Sequence, residues 1–233
     1  MIKGKIFLAD DRGVNQTNWY RSFNTFNFGK YQLESKKPFG NLVLLNDDEI
    51  DSSRSVSMLV EEDFYVMILP VAGAVIYTDN MNGSETVAAG QVLLTKATPG
   101  LKYELINPFA EGIINVLHIW IKPLSAFAES SMIVNTYGDV NNNINSLSSI
   151  LPQDAKLPFQ LSIGKFSGRG ETVYKTTGGA QNIFLFVLCG AFEAEGRLLH
   201  EKDGLSLWET NRAEMEALSN DALLLCIEQP GTM

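Results

Sequence analysis

Two stretches of this chain repeat one design. ILPVAGAVIY (68–77) and FLFVLCGAFEAE (184–195) each run as an apolar strand, a glycine and a second strand. In each half a turn cluster and a glycine-led strand follow, AAGQVLL (88–94) and KDGLSLW (202–208). A β-unit repeated on this scale predicts an all-β fold of two tandem jelly-roll β-barrels. With 233 residues, 45% of them hydrophobic, the chain has the apolar content to fill two cores.

The remaining segments read the same way. NLVLLND (41–47) reads as an apolar strand ending in Asn-Asp-Asp, and GIINVLHIWIKPL (112–124) as a strand closed by Pro123. Pro70 has no N–H to give to a ladder, so it predicts a sheet edge or a bulge. Asn82-Gly83 is a strong hairpin signal. From about residue 125 the chain turns rich in Asn and Ser and reads as a linker with short helical turns. A second β series then begins with FQLSIGKFS (159–167). In it AEMEALS (213–219) has helical propensity, but its alternation and its neighbours argue for strand. The expected bounds are 1–124 for the first barrel, 125–158 for the linker and 159–233 for the second barrel.

Charge and targeting signals narrow the function classes. A net charge of −9 repels phosphate backbones, so direct nucleic-acid binding is disfavoured. No apolar run is long enough for a membrane span, and the apolar stretch of MIKGKIFLADDRG is too short for a secretory signal. A cytoplasmic protein is the expectation. Cys189 and Cys226 lie in apolar runs, FLFVLCG and ALLLCIE, and read as small buried hydrophobes, not redox groups.

Several stretches resemble the pirin family of bicupins. RSFNTFNFGKY (21–31) resembles the family's N-terminal signature, with Asn24 where a histidine is usual. NLVLLNDD (41–48) resembles its Leu-Arg-Val-Ile-Asn-Glu-Asp strand, and FYVMILPVAG (64–73) the strand that ends in its glycine turn. ATPGLKYELIN (97–107) resembles its second cupin motif, and LHIWIKPL (117–124) the strand leading to the linker. The likeness runs through about 20–124 and continues weakly to the C-terminus.

The resemblance implies a metal in the N-terminal barrel, held by His-x-His in one motif and by a His and a Glu two residues apart in the next. Counting back from Gly73 puts Leu59 and Glu61 on the first pair. Counting forward from Gly100 puts Tyr103 and Leu105 on the second. A phenol is a poor ligand near neutral pH, and leucine is none. In the second barrel Thr176 and Gly178 fall on the histidine pair, with Asn182 beyond them.

The residues argue the same point without the family. A cupin iron site needs several neutral imidazoles and a carboxylate. The chain has two histidines, His118 and His200, both outside the two motifs. His118 reads as a core or pocket histidine and His200 as exposed beside a turn. The expectation is therefore no metal, no cofactor and no catalytic residue. The candidate ligand pocket is lined by Leu59, Glu61, Tyr103 and Leu105 and would take a small, partly apolar molecule. A protein partner fits the acidic surface. The competing expectations are a barrel plugged by Tyr103, with Glu61 in a solvated acidic run, and a quercetin 2,3-dioxygenase-like metal enzyme.

Overall fold

A computed structural model describes residues 2–29, 31–179 and 181–231. The chain divides into two compact units, Gly13–Tyr137 and Met1–Arg12 with Gly138–Met233.

The first unit is two antiparallel sheets around one core. The larger has seven strands in the order Ser131–Thr136, Gln91–Ala97, Phe64–Ala72, Ile114–Ile121, Leu42–Ile50, Tyr20–Asn24 and Gly13–Gln16. The smaller has four, in the order Ser55–Leu59, Lys102–Ile106, Ala74–Asp79 and Gly83–Ala88. Alternate residues of each strand turn inward, as the two-residue period of a strand requires. Leu44 and Ile50, Val66 and Ile68, Leu101 and Leu105, and Ile114 and Val116 meet there.

The second unit repeats the plan with six strands and four. Its larger sheet runs Gly4–Phe7, Gly204–Thr210, Gln181–Cys189, Ala222–Pro230, Gln160–Phe166 and Ser148–Ser149. Its smaller sheet runs Glu171–Lys175, Arg212–Ala217, Phe192–Ala194 and Arg197–Leu199. AEMEALS thus supplies strand, as its alternation predicts. The echoed glycines share one backbone conformation: Gly73 and Gly190 both have φ +82°, which side-chain-bearing residues adopt only with strain. Pro70 sits opposite Val116 at a register shift and beyond the last residue paired with Gln91–Ala97. That is the predicted bulge.

Three features depart from the expected layout. The segment Ser131–Thr136, inside the expected linker, is a strand paired with Gln91–Ala97. Its alternate residues Met132 and Val134 pack on the first core, a period-two signal diluted by the Asn- and Ser-rich flanks. The helical part of the linker among the described residues is one short 3-10 turn, Val140–Asn142, capped by the Asp139 side chain. The second departure is at the N-terminus. Gly4–Phe7 pairs with Gly204–Thr210 in the second unit, not the first. A Cβ on Gly4 would lie 2.8 Å from the Ser206 carbonyl oxygen, so only glycine fits. Third, the strand that begins at Leu42 does not end at Asn46–Asp48 but continues to Ile50.

The two cysteines differ. Cys226 lies in the second core, and burial pushes its thiol well above the ordinary range. Cys189 is exposed at the end of its strand, against the expectation that both are buried. A thiol reagent is expected to label one group per folded chain and two per unfolded chain. Two rapid labels on the folded chain would refute the burial of Cys226.

Candidate functional site in the first barrel

The inward face of the Leu42–Ile50 strand carries Leu44, Asn46, Asp48 and Ile50. Two polar residues thus sit between two core residues, all fully buried or nearly so. The neighbouring strands add polar groups in register. Asn24 is opposite Asn46, Ser22 is opposite Asp48, and His118 is opposite Asn46 on the other side. Trp120 lies two residues beyond His118 on the same inward face. From the facing sheet come Tyr77 and Tyr103, whose rings stack at 5.3 Å.

A hydrogen-bond chain joins these groups. The Trp120 Nε1–H lies 2.9 Å from His118 Nε2 and 3.1 Å from the Tyr103 hydroxyl oxygen. An indole N–H only donates, so His118 Nε2 accepts and the ring hydrogen sits on Nδ1. That Nδ1–H faces Asp48 Oδ2 at 3.3 Å. The Tyr103 hydroxyl also bonds His118 Nε2. Ser22 donates to Asn24 Oδ1 at 2.9 Å. Burial holds the Tyr103 phenol well above its ordinary pKa, and the same cause raises Tyr77 and Tyr20. The phenols therefore keep their protons and serve as donors.

The residues named from sequence do not all reach this interior. Tyr103 and Leu105 do, Tyr103 being 2% exposed. Leu59 pairs with Lys102 on the outer face and is 48% exposed. Glu61 is exposed in the turn that follows. The residues that pack toward the core are Val56 and Met58 of that strand and Val60 just after it, and Met58 is the one opposite Tyr103. A one-residue offset in a strand moves every side chain to the other face. Among the described residues no three His, Cys, Asp or Glu side chains group closely enough to hold a metal ion. In the second barrel Thr176 is half-buried and Gly178 exposed in a surface turn, and the buried carboxylate beside them, Glu228, accepts from Tyr174 and Thr177.

Comparison with known proteins bears on this arrangement. A model of the quercetinase C-terminal cupin domain matches residues 147–228. A quercetin 2,3-dioxygenase of Escherichia coli K12 is 23% identical over 224 residues, covering 93% of this chain and 95% of the relative. A pirin-like protein of Caulobacter vibrioides is 26% identical, covering 97% and 98%. The crystal structure of YhhW from Escherichia coli superposes with a TM-score of 0.89 at 20% identity, over 99% of both chains. YhhW has also been solved as a bacterial pirin in complex with nickel(II), with a TM-score of 0.87 to this chain.

The chain shares the fold of the bacterial pirin YhhW. This chain keeps the two-barrel frame and carries, in its first barrel, a buried polar chain of Asp48, His118, Trp120 and Tyr103. His118 is the expected core or pocket histidine, and its ring meets three groups, Tyr103, Trp120 and Asp48. The expected strand, residues 41–47, includes Asn46 and stops one residue short of Asp48, whereas the observed strand runs on to Ile50. The available signal was parity: Asn46 and Asp48 share the inward phase of Leu44 and Ile50.

Proposed function

We propose that this pirin-like chain binds a small molecule in its N-terminal barrel without the metal that the resemblance implies, as a non-catalytic binding or regulatory protein. One observation carries the reading. At the family's ligand positions the chain has Leu59, Glu61, Tyr103 and Leu105, and the side chains turned inward beside Tyr103 are Met58 and Val60. In neither phase of that strand does a pair of imidazoles face Tyr103. His118, the imidazole of this barrel, already uses its Nε2 lone pair on Trp120 and Tyr103. A transition ion needs several such lone pairs free and convergent. The donor set does not fit one.

The names of the relatives favour a second reading, a metal-dependent dioxygenase acting on quercetin. The same preparation tests both. Elemental analysis and native mass spectrometry of the purified chain are expected to find less than about one tenth of an equivalent of iron, nickel or copper. Stoichiometric metal together with quercetin turnover would replace the first reading by the second.

The acidic surface supports a protein partner over direct DNA contact, since net −9 opposes a polyanion. Among the described residues no helix is long and apolar enough to cross a membrane.

A further inference from the structure

Four polar atoms on the inward face of the first barrel have no hydrogen-bond partner among the described residues. They are Asn24 Nδ2, Asn46 Nδ2, Asn46 Oδ1 and Asp48 Oδ1. Their residues are fully buried. An unpaired buried polar atom opposes folding, so a group of them on adjoining positions calls for a physical reason. Asn24 and Asn46 face each other across two strands, and Asp48 is two residues further along the same face.

The next layer outward leads to the surface. Tyr20 is on the same face, opposite Ile50, and is half-buried. Ser22 and Asp48 are the hydrogen-bonding neighbours of its phenol. Tyr20 also lines an open pocket of about 200 Å³, together with Trp19, Arg21, Glu49, Asp51 and Ile113. Tyr20 thus borders the pocket and, through its phenol, Asp48 of the cluster.

We propose that this pocket and the cluster behind Tyr20 form one site for a small neutral aromatic carboxamide, admitted when the Tyr20 ring turns outward. The inference rests on the ligand-binding reading above and moves the site from the family's metal positions to Asn24, Asn46 and Asp48.

The ligand class follows from the atoms left over. The cluster offers two amide donors, Asn24 Nδ2 and Asn46 Nδ2, and two acceptors, Asn46 Oδ1 and Asp48 Oδ1. A primary carboxamide is their complement, with two N–H donors on one atom and a carbonyl acceptor beside it. An anion meets Asp48, Glu49 and Asp51. The one guanidinium at the mouth, Arg21, is already 3.5 Å from Glu49. A cation would lose its hydration in a site whose other partners are neutral amides, and Asp48 already faces His118. The aromatic part follows from the walls, where Trp19, Tyr20 and Ile113 suit a flat apolar ring. A cavity of roughly 150 Å³ is enough to hold benzene, so the pocket has room for one ring.

The test uses the full chain, dialysed against chelator, titrated with benzamide and separately with benzoate by calorimetry and ligand-observed NMR. Saturable benzamide binding is expected, with benzoate weaker by at least about ten-fold. The Asn46→Leu variant removes two unpaired atoms at similar volume. It is expected to raise the melting temperature by roughly 4 °C and to weaken benzamide binding by about ten-fold or more. An asparagine that serves structure alone would give a lower melting temperature and unchanged binding. The proposal is overturned if benzamide does not saturate, if benzoate binds equally, or if Asn46→Leu behaves as that structural asparagine. A chain that co-purifies with some other molecule yet ignores benzamide defeats this inference alone. Stoichiometric metal with quercetin turnover defeats the reading beneath it.

Discussion

Deletion of residues 1–12 is expected to destabilise the second unit by about 5 kcal/mol while leaving the first unit folded. The estimate has two sources. Phe7 is 3% exposed and its ring packs on Phe184 at 5.7 Å. Removing a buried phenylalanine side chain costs about 3–5 kcal/mol. The deletion also strips the Gly204–Thr210 strand of its ladder with Gly4–Phe7, leaving an open edge, and frees Asp203, which accepts from the Ala9 N–H at 2.7 Å. Phe7→Ala alone should lose most of the first term. Hydrogen exchange resolved by peptide is the measurement. Protection should fall across Gln181–Cys189 and Ala222–Pro230 and hold across Phe64–Ala72 and Ile114–Ile121. Equal protection in both units would show that the N-terminal strand is ornamental.

Tyr103 is expected to give the second large effect. Tyr103→Ala removes a fully packed ring that stacks on Tyr77 and meets His118 edge-on, and should cost about 4 kcal/mol. Tyr103→Phe should cost only about 1 kcal/mol, because the Trp120 Nε1–H keeps its bond to His118 Nε2 when the hydroxyl is gone. Tyr103→His is the informative change. It restores the family's imidazole at its own position, yet Leu105 beside it and Met58 and Val60 across from it supply no donor. Dialysis of that variant against nickel(II), followed by elemental analysis, is expected to leave no stoichiometric metal. One equivalent retained through the dialysis would mean that His118 and Asp48, which lie next to position 103, complete a site with the new imidazole.

Much of the frame was readable from the chain because its signals are local. The apolar strand, glycine and second strand of each half depend on neighbouring residues only, and Gly73 and Gly190 confirm it by a shared φ. The Pro70 bulge is local for the same reason, since proline lacks the N–H wherever it sits. The Gly4–Phe7 strand was not readable in this way. Nothing in its own sequence says that it pairs with a strand some two hundred residues away. The Ser131–Thr136 strand was hidden by composition, its Met132 and Val134 being outnumbered by polar flanks.

What the amino-acid sequence determined alone is a count: two histidines in the chain, and no folding can raise that number. The all-β class follows likewise from residue period and turn chemistry. Only the tertiary structure decided which side chains share the barrel interior. In a strand the inward set changes with a shift of one residue, and that shift is fixed by pairing with a distant strand, here Met58 against Tyr103. The same long-range pairing brought Asn24, Asn46, Asp48 and His118 onto one buried face, where low exposure turns ordinary polar residues into a site.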